Sequence, residues 1–278
     1  MTAAYAKLNL TLDVLAKRAD GYHDLCSVML AVSLCDDIRL RFTGDSWKLS
    51  CDAEAVPCDA RNLAWKAAEA FFASFGERPR GLRMEIVKRI PSGAGLGGGS
   101  ADAAAVLRML NAHYALPFDL QTLCAIGAQV GSDVPFCVMN GAALAQGRGE
   151  ILTPLEAAGK LFFVICKPDF PLYTPALFQK LDAISIAKRP NTQAMIDALR
   201  RGDAEEIGAL LCNVFEQAAQ MPEIADIKRI LLSRGACGAQ MTGSGSAVFG
   251  IFRTREQAQT AANSLRESYL QVFVAENV

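Results

Sequence analysis

The densest concentration of chemistry in the 278-residue chain is the stretch 91–111, PSGAGLGGGSADAAAVLRMLN. Five of the seven residues from Gly93 to Gly99 are glycine, the residue that reaches positive φ freely and lets a backbone approach a ligand without an intervening Cβ. From Ser100 an Ala-rich segment with Val106, Leu107 and Leu110 reads as a helix by propensity and apolar spacing. A glycine loop feeding a helix N-terminus presents unpaired N–H groups and the positive end of the helix dipole, so a phosphate or other anion is the expected ligand. A flexible glycine spacer is the plain alternative, but a spacer need not launch such a helix. A P-loop is excluded, because Gly99 is followed by Ser100 and Ala101 rather than by Lys and then Ser or Thr. Gly93-x-Gly95-x-x-Gly98 matches a dinucleotide fingerprint. The acid at the expected spacing, Asp119, lies in PFDLQTL, a helix start with no strand before it, so a Rossmann unit is not expected.

Other reactive side chains are fewer. Lys7, Asn9, Thr11 and Asp13 alternate with Leu8, Leu10, Leu12 and Val14, so Lys7 and Asn9 project from one strand face and can share a site. A solvated polar face is the bland reading of the same pattern. Ser132 and Asp133 precede Pro135, where a carboxylate is ordinarily a turn residue or a helix cap. Asn62 begins a helical pattern and reads as an N-cap or a ligand contact, the cap being the better reading of the residue alone. His23 and His113 are the only imidazoles, and the nine cysteines contain no CxxC pair, so a Cys/His zinc site is not expected. An odd number of cysteines in apolar settings, such as Cys137 in VPFCVM and Cys166 in LFFVIC, reads as buried free thiols in a reducing compartment.

The elements that must position these groups follow from periodicity. A strand is expected over 4–14, a turn at Asp20-Gly21, and β-like runs over 25–34, 38–42 and 47–51 in an antiparallel pattern. A helix over 61–75 and a half-buried strand over 82–87 lead into the glycine loop. Helix 119–130, a short strand over 142–146 and a turn at 148–150 come next. A boundary near 156–160 divides the chain into 1–156 and 157–278. In the second part, 161–166 reads as a buried strand, and Thr174-Pro175 is suited to start a helix. Asp203 and Glu206 have capping-box spacing ahead of a helix from 204 to about 220. Helix 224–234 ends at Gly235, two strand pieces flank Gly243-Ser244-Gly245, and helix 256–267 and strand 270–275 close the chain. Strand–helices–strand–strand–helix–strand suits a ferredoxin-like α+β half.

Composition narrows the class further. Hydrophobic residues are 51%, charged residues 21% and the net charge is −1, ordinary for a globular protein long enough to bury a full core in two domains. No Lys/Arg block marks nucleic-acid binding. No basic segment leads into an apolar signal stretch and no run of about 18 apolar residues occurs, so neither secretion nor a membrane span is expected and a cytoplasmic location is.

Three separated motifs then converge. PSGAGLGGGSADA resembles the phosphate loop of the GHMP kinases, and QMTGSGSAVFGIF resembles their C-terminal glycine motif. AKLNLTLDVLAKRADGYHDLCSVM, with GSDVPF downstream, is similar to the branch that phosphorylates a cytidine-diphosphate derivative of methylerythritol in non-mevalonate isoprenoid synthesis. The resemblance covers essentially the whole chain. It implies a two-domain α+β GHMP kinase fold, with an N-terminal ribosomal-protein-S5-like domain carrying the ATP loop and a C-terminal ferredoxin-like domain. It implies ATP as phosphate donor, with Mg²⁺ in attendance and Ser100 as its direct or water-mediated contact.

Position by position, Lys7 and Asp133 match the catalytic pair. Pro91, Gly93, Ala94, Gly95, Leu96, Gly97, Gly98, Gly99, Ser100 and Ala101 match the triphosphate loop, and Asn62 and Lys88 match the region of the ATP base. Asn9 matches a substrate contact, Tyr22, His23 and Phe178 match the cytosine pocket, and Thr174 matches its polar neighbour. Gly243 and Ser244 are either a floor of the substrate site or a simple turn. Where related sequences carry a base after the stacking phenylalanine, this chain has Gln179, with Lys180 next. A small-molecule partner, no nucleic acid, no membrane, and a monomer or weak homodimer complete the implied picture. Another kinase of this family, acting on homoserine or mevalonate, and a nucleotide-binding protein without turnover are the alternatives.

Overall fold

The computed structural model describes residues 1–278. In chain order its elements are β1 (Thr2–Lys17), β2 (His23–Arg41), β3 (Trp47–Cys51), α1 (Leu63–Phe75), β4 (Leu82–Val87), α2 (Gly98–His113), α3 (Leu120–Val130), α4 (Val134–Met139), β5 (Ala142–Gly147) and β6 (Ile151–Leu155). They continue as β7 (Phe162–Lys167), α5 (Thr174–Asp182), α6 (Thr192–Arg201), α7 (Ala204–Leu210), β8 (Cys212–Asn213), α8 (Phe215–Ala219), α9 (Pro222–Ser233), β9 (Gly238–Met241), β10 (Val248–Phe252), α10 (Arg255–Arg266) and β11 (Gln271–Glu276). Two compact units share the chain discontinuously. One holds Met1–Ala6, Cys35–Ser92 and Gly97–Asn140, the other Lys7–Leu34, Gly93–Leu96 and Gly141–Val278.

In the first unit, β4 pairs antiparallel with β2 (Ile38↔Ile86) and parallel with β3 (Leu49↔Met84). The antiparallel placement expected for 47–51 is therefore corrected. The connection from β3 to β4 runs through α1, and a helical crossover lets two strands lie parallel. Leu82, Met84 and Ile86 are buried while Arg83 and Val87 are exposed, as alternation requires. Helix α1 begins at Asn62, whose side chain accepts from the Ala64 N–H, and ends at Gly76 in the left-handed region (φ 90°). Helix α2 packs against α1 and α4. Its Ala101, Ala103, Ala104 and Ala105 are fully buried, and their small side chains bring neighbouring backbones close.

In the second unit, strands lie in the order β6-β5-β2-β1-β8, and a separate antiparallel sheet has the order β11-β7-β10-β9. By position along the chain those four strands stand 4-1-3-2, with α10 between the third and fourth. This is the ferredoxin-like arrangement expected from element order. Its core joins Val164, Cys166, Val248 and Phe252 of the sheet to Ile227, Leu231 and Leu265 of the covering helices.

The helix expected from 204 to about 220 is broken. After α7, Cys212 and Asn213 are extended and pair parallel with β1 (Thr11↔Cys212), and α8 follows. The Asn213 amide donates to the carbonyls of Met241 and Gly243, both at 2.8 Å, so tertiary partners outweigh local helix propensity there. Asp203 caps α7 by accepting from the N–H groups of Glu205 and Glu206. Glu206 pairs with Arg201 at 2.6 Å instead of closing the expected box. Strand β6 and helix α6 are additional to the sequence reading, although Asn191 and Gly202 cap α6 at its two ends.

All nine thiols are free; Cys137, Cys166 and Cys212 are buried, Cys58 is exposed and the others are half-buried. The expectation of buried thiols thus holds for three of them. Burial pushes the Cys166 thiol up to about 12. No helix is long and apolar enough to cross a membrane.

Candidate active site

The first unit carries the helical end of the glycine loop. Gly97 occupies the N-cap of α2 in the left-handed region (φ 70°), and no side chain caps the helix. The first-turn N–H groups of Gly98, Gly99 and Ser100 therefore lack intrahelical acceptors and lie at the positive end of the dipole. The Ala101 N–H closes the first turn on the Gly97 carbonyl at 2.8 Å. Such an end suits triphosphate oxygens.

A charged triad supports this loop. A Cβ on Gly98 would stand 3.2 Å from Lys88 Nζ and 3.0 Å from Ile90 Cγ2. Lys88 Nζ donates to Asp36 and, at 2.9 Å, to Asp102 Oδ2. Asp36 also accepts from the Ile90 N–H at 2.8 Å. Burial alone would lower the Lys88 ammonium, but Asp102 and Asp36 outweigh it and hold it above its ordinary value. Burial pushes the Asp102 carboxyl up to about 7 despite the neighbouring lysine, and Asp102 Oδ1 has no hydrogen-bond partner.

Lys88 thus stands beside the loop with its ammonium bound to two carboxylates. Asn62 spends its side chain in a similar way, accepting from Ala64 N–H at 2.9 Å and donating to the Pro57 carbonyl at 2.8 Å. Asp133 occupies the N-cap position of α4, yet its carboxylate makes no capping bond. Its carbonyl accepts from the Cys137 N–H at 3.1 Å. The helix-cap reading of Asp133 therefore describes its position in the chain and not the use of its side chain.

The second unit carries the polar face of β1, which is buried: Lys7 is 4% exposed and Asn9 3%. The solvated-face reading is excluded. Lys7 Nζ donates to Asn9 Oδ1 at 2.6 Å, and Asn9 Nδ2 donates to Ser27 Oγ at 2.8 Å. Ser27 Oγ donates in turn to the Thr11 carbonyl at 2.6 Å. Thr242 Oγ1 accepts from the Asn9 N–H at 3.1 Å and donates to Asn9 Oδ1 at 3.3 Å. With every link directional, the Asn9 amide has one orientation, its oxygen toward Lys7.

The two glycine motifs meet here. The Lys7 N–H donates to the Leu96 carbonyl at 3.0 Å and the Ala247 N–H to the Ala94 carbonyl at 3.1 Å. A Cβ on Gly95 (φ 76°) would fall 2.2 Å from the Thr242 carbonyl oxygen, and one on Gly243 (φ 57°) 3.3 Å from Lys7 Nζ. Gly243 therefore belongs to a tight turn that abuts the lysine. Ser27 and Thr242 were not singled out from sequence; Thr242 had a signal in its place before the glycines of QMTGSG, and Ser27 had none.

A third cluster in the second unit is aromatic. His23 is buried, and its ring stacks on Phe178 with centroids 4.7 Å apart and planes 15° apart. Phe178 meets Phe215 edge-on at 4.9 Å. Tyr22 is 56% exposed with the Arg148 guanidinium 5.2 Å over its ring. His23 Nε2 stands 2.7 Å from Asp182 Oδ1, and Lys17 Nζ donates to Asp182 Oδ2 at 2.8 Å. These two partners hold the Asp182 carboxyl below the ordinary range. The Thr174 and Ser244 hydroxyls share a 2.6 Å hydrogen bond. Gln179 and Lys180 are both exposed on α5. His23 and Asp182 also line a cavity of about 400 Å³ with Lys17, Ser185 and Arg189.

The pattern of the GHMP kinases N terminal domain matches residues 62–141, and that of the GHMP kinases C terminal matches residues 195–271. The 4-diphosphocytidyl-2-C-methyl-D-erythritol kinase of Caldicellulosiruptor saccharolyticus is 44% identical over 276 residues, covering 98% of this chain and 93% of its own. A crystal structure of 4-(cytidine 5'-diphospho)-2C-methyl-D-erythritol kinase is similar with a TM-score of 0.83 and 32% identity, over 99% of this chain and 98% of that one. Homoserine kinase from Cytophaga hutchinsonii has a TM-score of 0.73 at 19% identity, over 99% and 94% of the two chains, and shares the fold.

Proposed function

The chain belongs to the GHMP kinases, and among them to the 4-diphosphocytidyl-2-C-methyl-D-erythritol kinase family, and on that footing we propose that it transfers the γ-phosphate of ATP to the 2-hydroxyl of 4-diphosphocytidyl-2-C-methyl-D-erythritol. The observation that carries this reading is the buried Lys7–Asn9 pair, locked by Ser27 and Thr242 beside the turn at Gly243. A lysine buried and oriented at this cost in desolvation is suited to meeting an anion.

Phosphoryl transfer asks little covalent chemistry of the protein; positioning and charge stabilisation dominate. The uncapped N–H groups at Gly98–Ser100 bind the terminal phosphates. Lys7 offsets charge on the transferred group, and Asp133 orients the attacking hydroxyl and takes its proton. Mg²⁺ accompanying ATP supplies neutralisation of the phosphate oxygens. No cluster of three or more His, Cys, Asp or Glu side chains is placed to hold a metal ion. The Ser100 hydroxyl beside the phosphate site fits an ion that keeps its waters and is carried largely by substrate phosphates. Tyr22, His23 and Phe178 receive the cytosine, and the reaction takes place in the cytoplasm.

The test is ADP release by the purified protein with Mg-ATP and 4-diphosphocytidyl-2-C-methyl-D-erythritol, with Asp133→Asn alongside. Release that requires this acceptor, and a loss of about 10²–10⁴ in kcat in the variant, is the expected result. Absence of release with this acceptor but turnover of homoserine or mevalonate would overturn the substrate assignment. Near-normal kcat in Asp133→Asn would remove the base role alone.

A further inference from the structure

His23 reads as a recognition group whose protonation pattern is set by a neighbour. Its ring is 8% exposed and held on one face by Phe178, which is itself braced edge-on by Phe215. Nε2 faces Asp182 Oδ1 at 2.7 Å. An ionised carboxylate can only accept, so Nε2 must carry the proton, and in the neutral ring Nδ1 is then a bare acceptor. Lys17, on the other Asp182 oxygen at 2.8 Å, keeps that carboxylate in place at the end of α5.

We propose that Asp182 is a specificity-determining residue: it fixes the Nε2–H tautomer of His23 so that Nδ1 accepts from the exocyclic amine of cytosine and rejects the carbonyl of uracil at the same position. This rests on the reading of Tyr22, His23 and Phe178 as the base pocket given under the proposed function. At C4 cytosine offers a donor and uracil an acceptor. An acceptor held rigidly against that edge gains a hydrogen bond from the first and faces an unpaired lone pair with the second. Discrimination of this kind is strong because a polar group in a dry pocket is left unsatisfied by the wrong partner. Gln179 and Lys180, exposed on the same helix, are not needed for it. Asp182 lies one turn beyond Phe178 on α5, so the helix that supplies the stacking ring also supplies the tautomer.

The experiment measures binding of CMP and of UMP by calorimetry to the full-length protein, to Asp182→Asn and to Lys17→Met. The imidazole ¹⁵N shifts of His23 are recorded for the same three proteins. An asparagine can accept from Nε2–H or donate to a bare Nε2, so Asp182→Asn releases the tautomer while keeping size and shape. The expected result is a CMP preference in the parent protein that falls at least about tenfold in Asp182→Asn, with the ¹⁵N pattern moving from Nε2–H to a mixture. Lys17→Met removes the tie to β1 but leaves the carboxylate on Nε2, and is expected to retain the preference. An unchanged CMP:UMP ratio in Asp182→Asn, or an Nδ1–H ring in the parent protein, overturns the inference and leaves the kinase assignment standing. A parent protein that binds CMP no better than UMP and also fails to phosphorylate the cytidyl acceptor overturns both.

Discussion

Gly95 and Gly93 form a matched pair for asking whether the two glycine motifs are held together by backbone contact. Both have left-handed φ, 76° and 64°, so an alanine at either incurs about 1–2 kcal/mol of backbone strain. They differ in what a Cβ meets. At Gly93 nothing lies within 4 Å, whereas at Gly95 the Thr242 carbonyl oxygen is 2.2 Å away and the Gly245 nitrogen 3.1 Å. Both obstacles are main chain, so no side-chain rotation relieves them, and one must move by more than an ångström to restore ordinary contact.

Overpacking of this kind adds about 1–3 kcal/mol. Gly95→Ala should therefore be less stable than Gly93→Ala by about that amount, read as the difference in urea unfolding followed by circular dichroism. The displacement also reaches Thr242, whose hydroxyl holds the Asn9 N–H and Oδ1, and through Asn9 it reaches Lys7. Loss of the oriented ammonium should lower kcat by about tenfold or more, beyond any effect in Gly93→Ala. Equal unfolding midpoints for the two variants would refute the steric argument. Unequal midpoints with equal kcat would refute the path from Thr242 to Lys7.

Two further outcomes follow from buried groups. Thr242→Val preserves volume but strands the Asn9 N–H and frees its amide oxygen from one donor. It should cost about 1–3 kcal/mol in unfolding free energy and lower kcat more than it raises KM for ATP, both measurable on one preparation. Burial raises the Asp102 carboxyl from the ordinary 3.8 to about 7, so between those values the native state retains a proton that the unfolded chain has released. The associated stabilisation is complete below the unfolded value and is lost as pH rises through about 7. Asp102→Asn should therefore gain stability relative to the parent protein as pH increases across that window, and a parallel pair of pH–stability curves would contradict the assignment.

Much of the site was legible because its signals are local. The loop at 93–99 announces itself by glycine content and by the helix that follows, and Gly93, Gly95 and Gly97 do adopt positive φ. The shared face of Lys7 and Asn9 follows from the two-residue period of a strand, and the structure joins them with a 2.6 Å hydrogen bond. Asn62 caps α1, as its residue type and place suggested. What the period cannot reveal is whether a polar face is buried. For β1 it is, because Ser27, Thr242 and Asn213 lie over it or over its neighbouring turn.

Elements whose causes lie within a few residues could be read from the chain alone: the strand–loop–helix around the glycine-rich stretch, the ferredoxin-like order of the second half, and the types of side chain available for chemistry. Tertiary structure alone decided their partners. Lys88 is held by Asp36, 52 positions away, and by Asp102. His23 meets Asp182 across 159 positions, and Asn9 meets Thr242 across 233. It also set β3 parallel to β4 and broke the helix expected after Ala204, so that Cys212 could pair with Thr11. Propensity and periodicity act over one or two turns of chain, while burial and hydrogen-bond satisfaction are settled between segments that only the folded state brings together.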